Sequence, residues 1–319
     1  MPTEVRDLKT LRLLMLGRFR MYADSQAVSG LECRKAQELL CYLLLHRDRP
    51  QSREHLAGVL WNNESETRAR SYLRKTLWQL QTALGHMLQG TTDGSPVESD
   101  GDYIYVTTSE HCWVDTDAFQ RAYYAVKSVS GGALDESQAQ ALEDAERLYE
   151  GELLDGWGQD WCLCERERLH YMYLAIMDKL LDYSESRQSY ERGIDYAMRI
   201  LQFDRVHERT YQKLMRLHCL AGDRTSALRE YEQCATVLLD ELGVEPSRQT
   251  KTLYQQVVNG QLEPVAIQMP VSIRDTGANA DLARVLDRLR DLSSTLLDLQ
   301  GQVQTEIDAL EELVQPPRT

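Results

Sequence analysis

The sequence predicts a mostly α-helical protein with small β-sheets near its N-terminus. Three observations predict this class. Short apolar runs and amphipathic helical patterns alternate in residues 1–108, helical periodicity dominates residues 109–260, and apolar residues, mostly leucine, recur every seven residues within 281–314. We call the first region the head and the second the body. A chain of 319 residues is long enough for about two domains.

Residues 11–85 of the head predict three short strands followed by three helices. LRLLMLGRFRMY holds two apolar runs split at Gly17-Arg18, and CRKAQELLCYLLLHRDRP is an amphipathic helix that Pro50 ends. SREHLAGVLW predicts a second, short helix that begins near Ser52, and ETRARSYLRKTLWQLQTALG predicts a third that Gly85 closes. Two short helices followed by a longer basic one are typical of a helix-turn-helix DNA-binding protein.

The third helix of the head carries the candidate DNA contacts. One apolar stripe is expected to pack into the core: Leu73, Leu77, Leu80 and Leu84. The candidate DNA-binding side chains lie on the other stripes or on the preceding helix: Arg53, Arg68, Arg70, Ser71, Arg74, Lys75 and Gln79. Arg pairs with guanine, and Gln with adenine, through bidentate hydrogen bonds. We expect Trp78 to be half-buried against the next element, and contact with a thymine methyl group is the alternative.

Residues 97–107 predict a β-hairpin with Asp100-Gly101 at its turn, because this dipeptide favours tight two-residue turns. A hairpin that directly follows a recognition helix is a wing, so the head is predicted to be a winged helix-turn-helix domain. The tip is acidic, with Glu98, Asp100 and Asp102, and a plain edge hairpin is therefore the alternative.

The distribution of charge favours a DNA-binding head on an acidic body. The formal net charge of −14 argues against general affinity for nucleic acid. Residues 1–90, however, contain 14 Lys and Arg against nine Asp and Glu, a net +5, whereas the rest of the chain contains 22 against 41, a net −19. An ordinary solvated basic helix is the alternative explanation of the small basic excess.

Several protein classes are not supported by the sequence. No apolar run approaches the roughly 18 residues that a membrane span needs, and the N-terminus has no apolar signal region. Seven cysteines without a paired framework fit the reducing cytoplasm, where we expect the protein to reside. The sequence contains no catalytic constellation, phosphate-binding glycine loop or metal-ligand spacing, so we expect no enzyme activity, cofactor or metal.

The body predicts helices from residue 114 to residue 258. Asp115-Thr116-Asp117 is expected to cap a helix that begins at Ala118, and Asp135-Glu136-Ser137 to start another. Residues 194–201 and 228–235 are equivalent helices offset by 34 residues, which is the period of tetratricopeptide repeats. Such repeats stack into an α-solenoid that binds partners. A generic helical bundle is the alternative.

Residues 261–280 predict a linker, and 281–314 a coiled-coil helix. Apolar side chains hold the heptad seam, with those expected to mediate oligomerisation at Leu282, Leu289, Leu292, Leu296, Leu299, Val303 and Leu310. The sustained 3.5-residue spacing favours a supercoil, most simply a homodimer. A surface helix that packs on its own body is the alternative.

These patterns together resemble the SARP-type bacterial transcriptional activators (Streptomyces antibiotic regulatory proteins). The resemblance covers about residues 11–260, and its most specific motifs are SREHLAGVLW in the head and ELGVEPS in the body. It implies an OmpR-type winged-helix DNA-binding domain at 1–108 and a bacterial transcriptional activator domain of tetratricopeptide-like helices at 109–260. It also implies that residues 66–84 enter the major groove, that the hairpin contacts the minor groove or backbone, and that the body engages RNA polymerase or another regulatory protein.

The chain departs from this family in the recognition helix, where Gln79, Gln81 and Thr82 stand in place of the usual late arginines. These changes remove phosphate contacts, which supply most of the affinity for DNA. We expect a DNA-binding transcriptional regulator, an activator that binds promoter repeats in double-stranded DNA. The alternatives are a protein-binding adaptor whose winged helix has lost DNA binding, and a regulator controlled by a partner or a small ligand in the solenoid groove.

Overall fold

The computed structural model describes residues 10–23, 26–27, 31, 33–88, 96–107 and 112–262. The strands are β1 Leu11–Leu14, β2 Arg20–Ala23, β3 Gln26–Ala27, β4 Gln51–Ser52, β5 Val97–Asp100, β6 Tyr103–Val106 and β7 Cys112–Val114. The helices are α1 Arg34–Leu45, α2 Arg53–Leu60, α3 Glu66–Met87, α4 Asp115–Ala125, α5 Glu136–Leu148, α6 Asp160–Ser186, α7 Tyr190–Phe203, α8 Glu208–Leu220, α9 Arg224–Leu242 and α10 Arg248–Val258. The predicted mostly helical class is confirmed, whereas the predicted linker and coiled coil lie outside the described residues.

Two small sheets frame the three helices of the head. In the first sheet the strand order is β3-β2-β1-β7, and β7 pairs in parallel with β1 although it follows β1 by nearly one hundred residues. The second sheet has the order β4-β6-β5 and contains the predicted hairpin. Because β7 is the first strand of the body, the N-terminal sheet joins the head to the body.

The hairpin turn lies one residue later than the sequence predicts. Asp100 pairs with Tyr103, so the two turn residues are Gly101 and Asp102 rather than Asp100 and Gly101. The backbone φ of Gly101 is +55°, which a residue without a Cβ adopts at little cost.

The predicted apolar stripe of α3 packs into the core of the head. Leu73, Leu77, Leu80 and Leu84 are each at most 4% exposed. The helix continues two residues beyond Gly85 and ends at Met87, so the predicted stop at this glycine is slightly early.

The body consists of successive helices whose spacing confirms the predicted repeat. Helices α7 and α9 begin at Tyr190 and Arg224, which are 34 residues apart, and each follows a short break after the preceding helix. The predicted helix start at Asp135-Glu136-Ser137 is confirmed, and Asp135 forms a capping box there, because its carboxylate accepts from the backbone N–H of Gln138 at 2.8 Å. The predicted cap of α4 is wrong: this helix begins at Asp115, and its N-cap, Val114, makes no side-chain capping bond.

Backbone hydrogen bonds hold the head against the body. The N–H of Leu154 donates to the carbonyl of Met15 at 2.8 Å, and that of Gly17 donates to Glu152 at 3.0 Å. The N–H of Asp155 then donates to the carbonyl of Gly17 at 2.8 Å. One buried apolar cluster also extends through both regions, from Leu11 in β1 to Leu238 in α9. The head therefore holds α3 in a fixed orientation relative to the body.

Candidate nucleic-acid interface

The outward surface of α3, which we call the α3 face, combines cations with one aromatic side chain. Its four central side chains are all exposed: Ser71, Arg74, Lys75 and Trp78. They lie opposite the buried leucine stripe because side chains three, four and seven residues apart share one side of a helix. An exposed helix side of this kind has the dimensions to enter a major groove.

Arg74 and Lys75 are the cations most available for an anionic ligand. Both side chains are exposed, and neither forms an ion pair with any residue that the structure describes. Adjacent unneutralised cations favour the binding of phosphate or of an acceptor-rich base edge.

Two further predicted DNA-binding cations have acidic neighbours. Arg70 is 2.6 Å from the carboxylate of Glu66 and 3.9 Å from that of Glu54, and Arg68 is 3.8 Å from Glu64. All of these ion pairs are at least one-third exposed, and such pairs contribute little free energy. A phosphate can therefore replace the carboxylates as the partner of either guanidinium.

Arg53, a predicted DNA-binding residue, also forms hydrogen bonds with the turn of the hairpin. Its backbone N–H donates to the carbonyl of Asp102 at 2.8 Å, and its Nε donates to the carbonyl of Gly101 at 3.1 Å. These bonds hold the hairpin turn at the N-terminus of α2, where Ser52 caps the helix by accepting from the N–H of His55. The turn is therefore held beside α2 and brings Asp102 to the edge of the interface.

A cleft of about 400 Å³ lies between α3 and the hairpin. It is lined by Ser52, Arg53, Glu54, Arg70, Leu73, Arg74, Asp102 and Tyr103. The structure thus brings together three of the predicted DNA-binding arginines, whereas Arg68, Ser71, Lys75 and Gln79 do not line this cleft. Three arginines that line one opening favour the binding of an anion, whereas Glu54 and Asp102, which also line it, oppose that binding.

The two glutamines late in α3 have different surroundings. Gln81 donates from Nε2 to the carbonyl of Val97 at 3.2 Å, which ties the helix to the first strand of the hairpin. Gln79 is half-buried and makes no such bond among the described residues. Only Gln79 of this pair is therefore free to contact a base.

The expected burial of Trp78 against the hairpin is wrong, because this side chain is 66% exposed. The hairpin is bound to α3 through Gln81, about one helical turn beyond Trp78, and the indole itself stays uncovered. Sequence reasoning also missed Tyr72, which is 42% exposed and lies with its ring centroid 6.4 Å from that of Trp61. The expected burial of Trp78 rested on the rarity of exposed tryptophan, whereas helical periodicity alone places this residue opposite the leucine stripe.

The described residues contain few other candidate sites. Within the described ranges, no three His, Cys, Asp or Glu side chains are grouped so that they could hold a metal ion. All seven cysteines are unpaired. Burial raises the pKa of the Cys162 and Cys234 thiols to about 12, so they are poor nucleophiles at neutral pH. Among the described helices, none combines the length and the apolar character that a membrane span requires.

Comparison with known proteins confirms the resemblance drawn from the sequence. Residues 114–258 match the family described as "Bacterial transcriptional activator domain". The chain is 25% identical over 302 residues to the regulatory protein AfsR of Streptomyces coelicolor, covering 94% of this chain and 29% of that protein. It is also 25% identical over 264 residues to AfsR of Streptomyces griseus, covering 82% and 26% respectively. The chain thus spans between a quarter and a third of the length of these curated relatives.

A solved structure shows the same fold. It is described as Mycobacterium tuberculosis EmbR in complex with a low affinity phosphopeptide, and it matches with a TM-score of 0.61 and 20% sequence identity. The match covers 81% of this chain and 66% of that one. An N-terminal winged helix-turn-helix followed by a helical solenoid therefore describes the architecture.

Proposed function

We propose that this chain, a SARP-type transcription regulator with a bacterial transcriptional activator domain at residues 114–258, binds double-stranded DNA through the α3 face. The observation that carries the proposal is the pair Arg74 and Lys75, which are adjacent, exposed and without an acidic partner among the described residues. In this proposal α3 enters the major groove, where Arg74 contacts a guanine edge or a phosphate and Lys75 a phosphate.

The remaining predicted contacts extend this interface on both sides. Arg53 and Arg70 bind a backbone phosphate at the cleft beside the hairpin, which they line together with Arg74. Ser71, on the α3 face, and the flanking side chains of Arg68 and Gln79 on the same helix complete the proposed interface. The hairpin contributes by holding Arg53 of α2 in place rather than through its own tip, because Glu98, Asp100 and Asp102 would repel phosphate.

The body is proposed to recruit RNA polymerase or another regulatory protein to the bound promoter. Its net acidic composition and solenoid architecture support a protein-binding role. At the end of the solenoid, Tyr231 stacks on Tyr254 with ring centroids 4.1 Å apart, and Arg229 and Glu232 are exposed beside it. Because backbone bonds join the head to the body, a partner held by the body takes a defined position along the DNA.

The test begins with the full chain, since the duplex that it binds must be identified first. DNA crosslinked to the protein is sequenced, and the enriched duplex is used in titrations at several salt concentrations. We expect the Arg74→Ala/Lys75→Ala variant to bind at least tenfold more weakly, and the slope of log K against log salt to fall by about one for each phosphate contact removed.

Arg209→Ala is the matched control, because Arg209 is an exposed arginine on α8 of the body. This variant should retain the affinity and the salt slope of the natural sequence. Equal affinity of the double variant and the control would contradict the assignment of α3 as the DNA-binding helix. Absence of any enriched duplex would contradict the proposed function itself.

A further inference from the structure

Trp78 occupies the middle of the α3 face. It follows Arg74 by about one helical turn and Ser71 by about two, since an α-helix has about 3.6 residues per turn. Leu77 and Leu80, which are close to it in the sequence, face the core and are at most 4% exposed, whereas Trp78 is 66% exposed. The largest apolar side chain of the helix therefore projects from the surface that is proposed to meet DNA.

No other part of the described structure covers this indole. None of the described aromatic rings stacks on it, and none of the described cations lies over its face. The other tryptophans for which the structure gives exposure or ring contacts are packed: Trp157 is 4% exposed, Trp61 contacts Tyr72, and Trp161 contacts Tyr42. An indole that the fold leaves uncovered on a ligand-binding surface is suited to bury its area against the ligand.

We infer that Trp78 is a specificity-determining residue that recognises the 5-methyl group of a thymine in the major groove. The inference rests on the proposed function. Among the groups that base pairs present in this groove, the thymine methyl is the apolar one, and the rest are hydrogen-bond donors and acceptors. The indole has no acceptor and a single N–H donor, so most of its surface can gain only from an apolar contact.

The position of this thymine follows from the helix geometry. Trp78 lies four residues after Arg74, which corresponds to about 6 Å along the helix axis. Since stacked base pairs are about 3.4 Å apart, the thymine lies roughly two base pairs from the position that Arg74 contacts. Gln81 is bound to the hairpin, so Trp78 and Gln79 are left to determine specificity in this half of the site.

Substitution of deoxyuridine for thymine tests the inference, because the two nucleotides differ only by the 5-methyl group. Each thymine of the duplex enriched by the full chain is replaced in turn, and the affinity is measured. We expect one thymine in each half-site at which the substitution weakens binding about three- to fivefold, the loss that follows from exposing one methyl group. In the Trp78→Ala variant, thymine and deoxyuridine should be bound equally at that position.

Two controls separate this contact from indirect effects. Tyr171→Ala removes an aromatic side chain that is 78% exposed on α6 of the body, and should leave the deoxyuridine pattern unchanged. Circular dichroism and the melting temperature of Trp78→Ala should match those of the natural sequence, because the side chain packs against little. The difference between the deoxyuridine penalty of the natural sequence and that of Trp78→Ala then gives the free energy of the contact between the indole and the methyl group, as in a double-mutant cycle.

Three results would overturn the inference. Tolerance of deoxyuridine at every position by the natural sequence would show that no methyl group is recognised. Persistence of the penalty in Trp78→Ala would assign the methyl contact to another side chain. A penalty for replacing guanine by 7-deazaguanine that the Trp78→Ala variant loses, with no thymine penalty, would show that the indole N–H donates to a guanine instead. In each case the protein still binds DNA, whereas failure to bind any duplex would overturn the proposed function as well.

Discussion

Asp115 accepts a hydrogen bond of 2.6 Å from the backbone N–H of Met15, across one hundred residues of chain. The same carboxylate oxygen accepts from the N–H of Leu16 at 2.8 Å, and the other oxygen accepts from Thr116 at 2.7 Å. Asp115 is only 1% exposed, and this burial raises its pKa to about 6 although the three N–H donors lower it. One carboxylate thus links the first turn of α4 to the chain just after β1.

The raised pKa of Asp115 predicts a dependence of stability on pH. In the unfolded chain this carboxyl titrates near pH 3.9, so between about pH 4 and pH 6 the folded protein binds more protons than the unfolded one. The free energy of unfolding should therefore fall by about 2–3 kcal/mol as the pH rises through this window, relative to Asp115→Asn, which does not titrate.

Urea unfolding of both proteins at pH 4, 5, 6 and 7 measures this difference. Comparison with the variant removes the contributions of all other carboxylates. A difference that stays constant from pH 4 to pH 7 would contradict the raised pKa.

Local patterns predicted the elements whose causes are local. The helical periodicity of the body predicted α6, α7 and α9, and Asp135-Glu136-Ser137 marked the start of α5 because an N-cap acts on backbone groups only two or three residues away. The buried stripe that includes Leu73 and Leu80 followed from the 3.6-residue period in the same way.

Features that depend on distant parts of the chain were missed. Asp115 resembles a cap from its neighbours alone, yet its carboxylate is used by residues one hundred positions earlier. The exposure of Trp78 depends on where the hairpin contacts α3, and the bonds of Arg53 to Gly101 depend on the pairing of β4 with β6. Periodicity contains no information about which distant segments meet. The sequence therefore predicted which cations lie on α3 and α2, but not which residues contact them.

A close contact at Gly131 predicts a large difference between two adjacent glycines. A Cβ added to Gly131 would lie 2.5 Å from the carbonyl oxygen of Lys179 and 2.5 Å from the Cβ of Asp182, both on α6. A Cβ on Gly132 would have its nearest neighbour at 3.8 Å, the Cβ of Ser186. Gly131→Ala must displace backbone and should destabilise the fold by about 1–3 kcal/mol.

Gly132→Ala is the matched control, because it adds the same methyl group without a clash. It should be neutral, or stabilising by up to about 1 kcal/mol through the restricted unfolded chain. Thermal unfolding of the two variants compares them directly. Equal melting temperatures would show that α6 moves aside at no cost.

The buried lysine of α8 predicts a second stability effect. The ammonium of Lys213 lies 2.6 Å from Asp178 and 2.5 Å from Asp182, and its side chain is 11% exposed. Lys213→Met leaves two carboxylates facing each other without a cation, and should destabilise the fold by about 2–4 kcal/mol. The lower values in this range apply because the side chains of Asp178 and Asp182 are 31% and 29% exposed, so that water partly screens their repulsion.

Lys251→Met provides the comparison on the surface. Lys251 is also 2.5 Å from its partner, Glu245, but the two side chains are 46% and 79% exposed. Its removal should leave the free energy of unfolding almost unchanged, because solvent screens this exposed ion pair. Denaturant unfolding of both variants should therefore separate them clearly, and similar losses would mean that burial does not govern the contribution of Lys213.

The heptad seam at 281–314, outside the described residues, predicts that the full chain is a dimer. Leu289→Asp/Leu296→Asp places charges within the seam and should yield monomers, whereas Ser294→Asp adds the same charge at an outer heptad position and should not. Light scattering on these chains, and on one shortened to end at Ala280, gives the mass of each particle. A monomeric full chain, or a seam variant of unchanged mass, would disprove the coiled coil.

Dimerisation would bring a second head to the DNA at high effective concentration, and this gain in affinity offsets the loss caused by the arginines that α3 lacks. The monomeric variant should therefore bind a single half-site as tightly as the natural sequence and lose affinity only for paired half-sites.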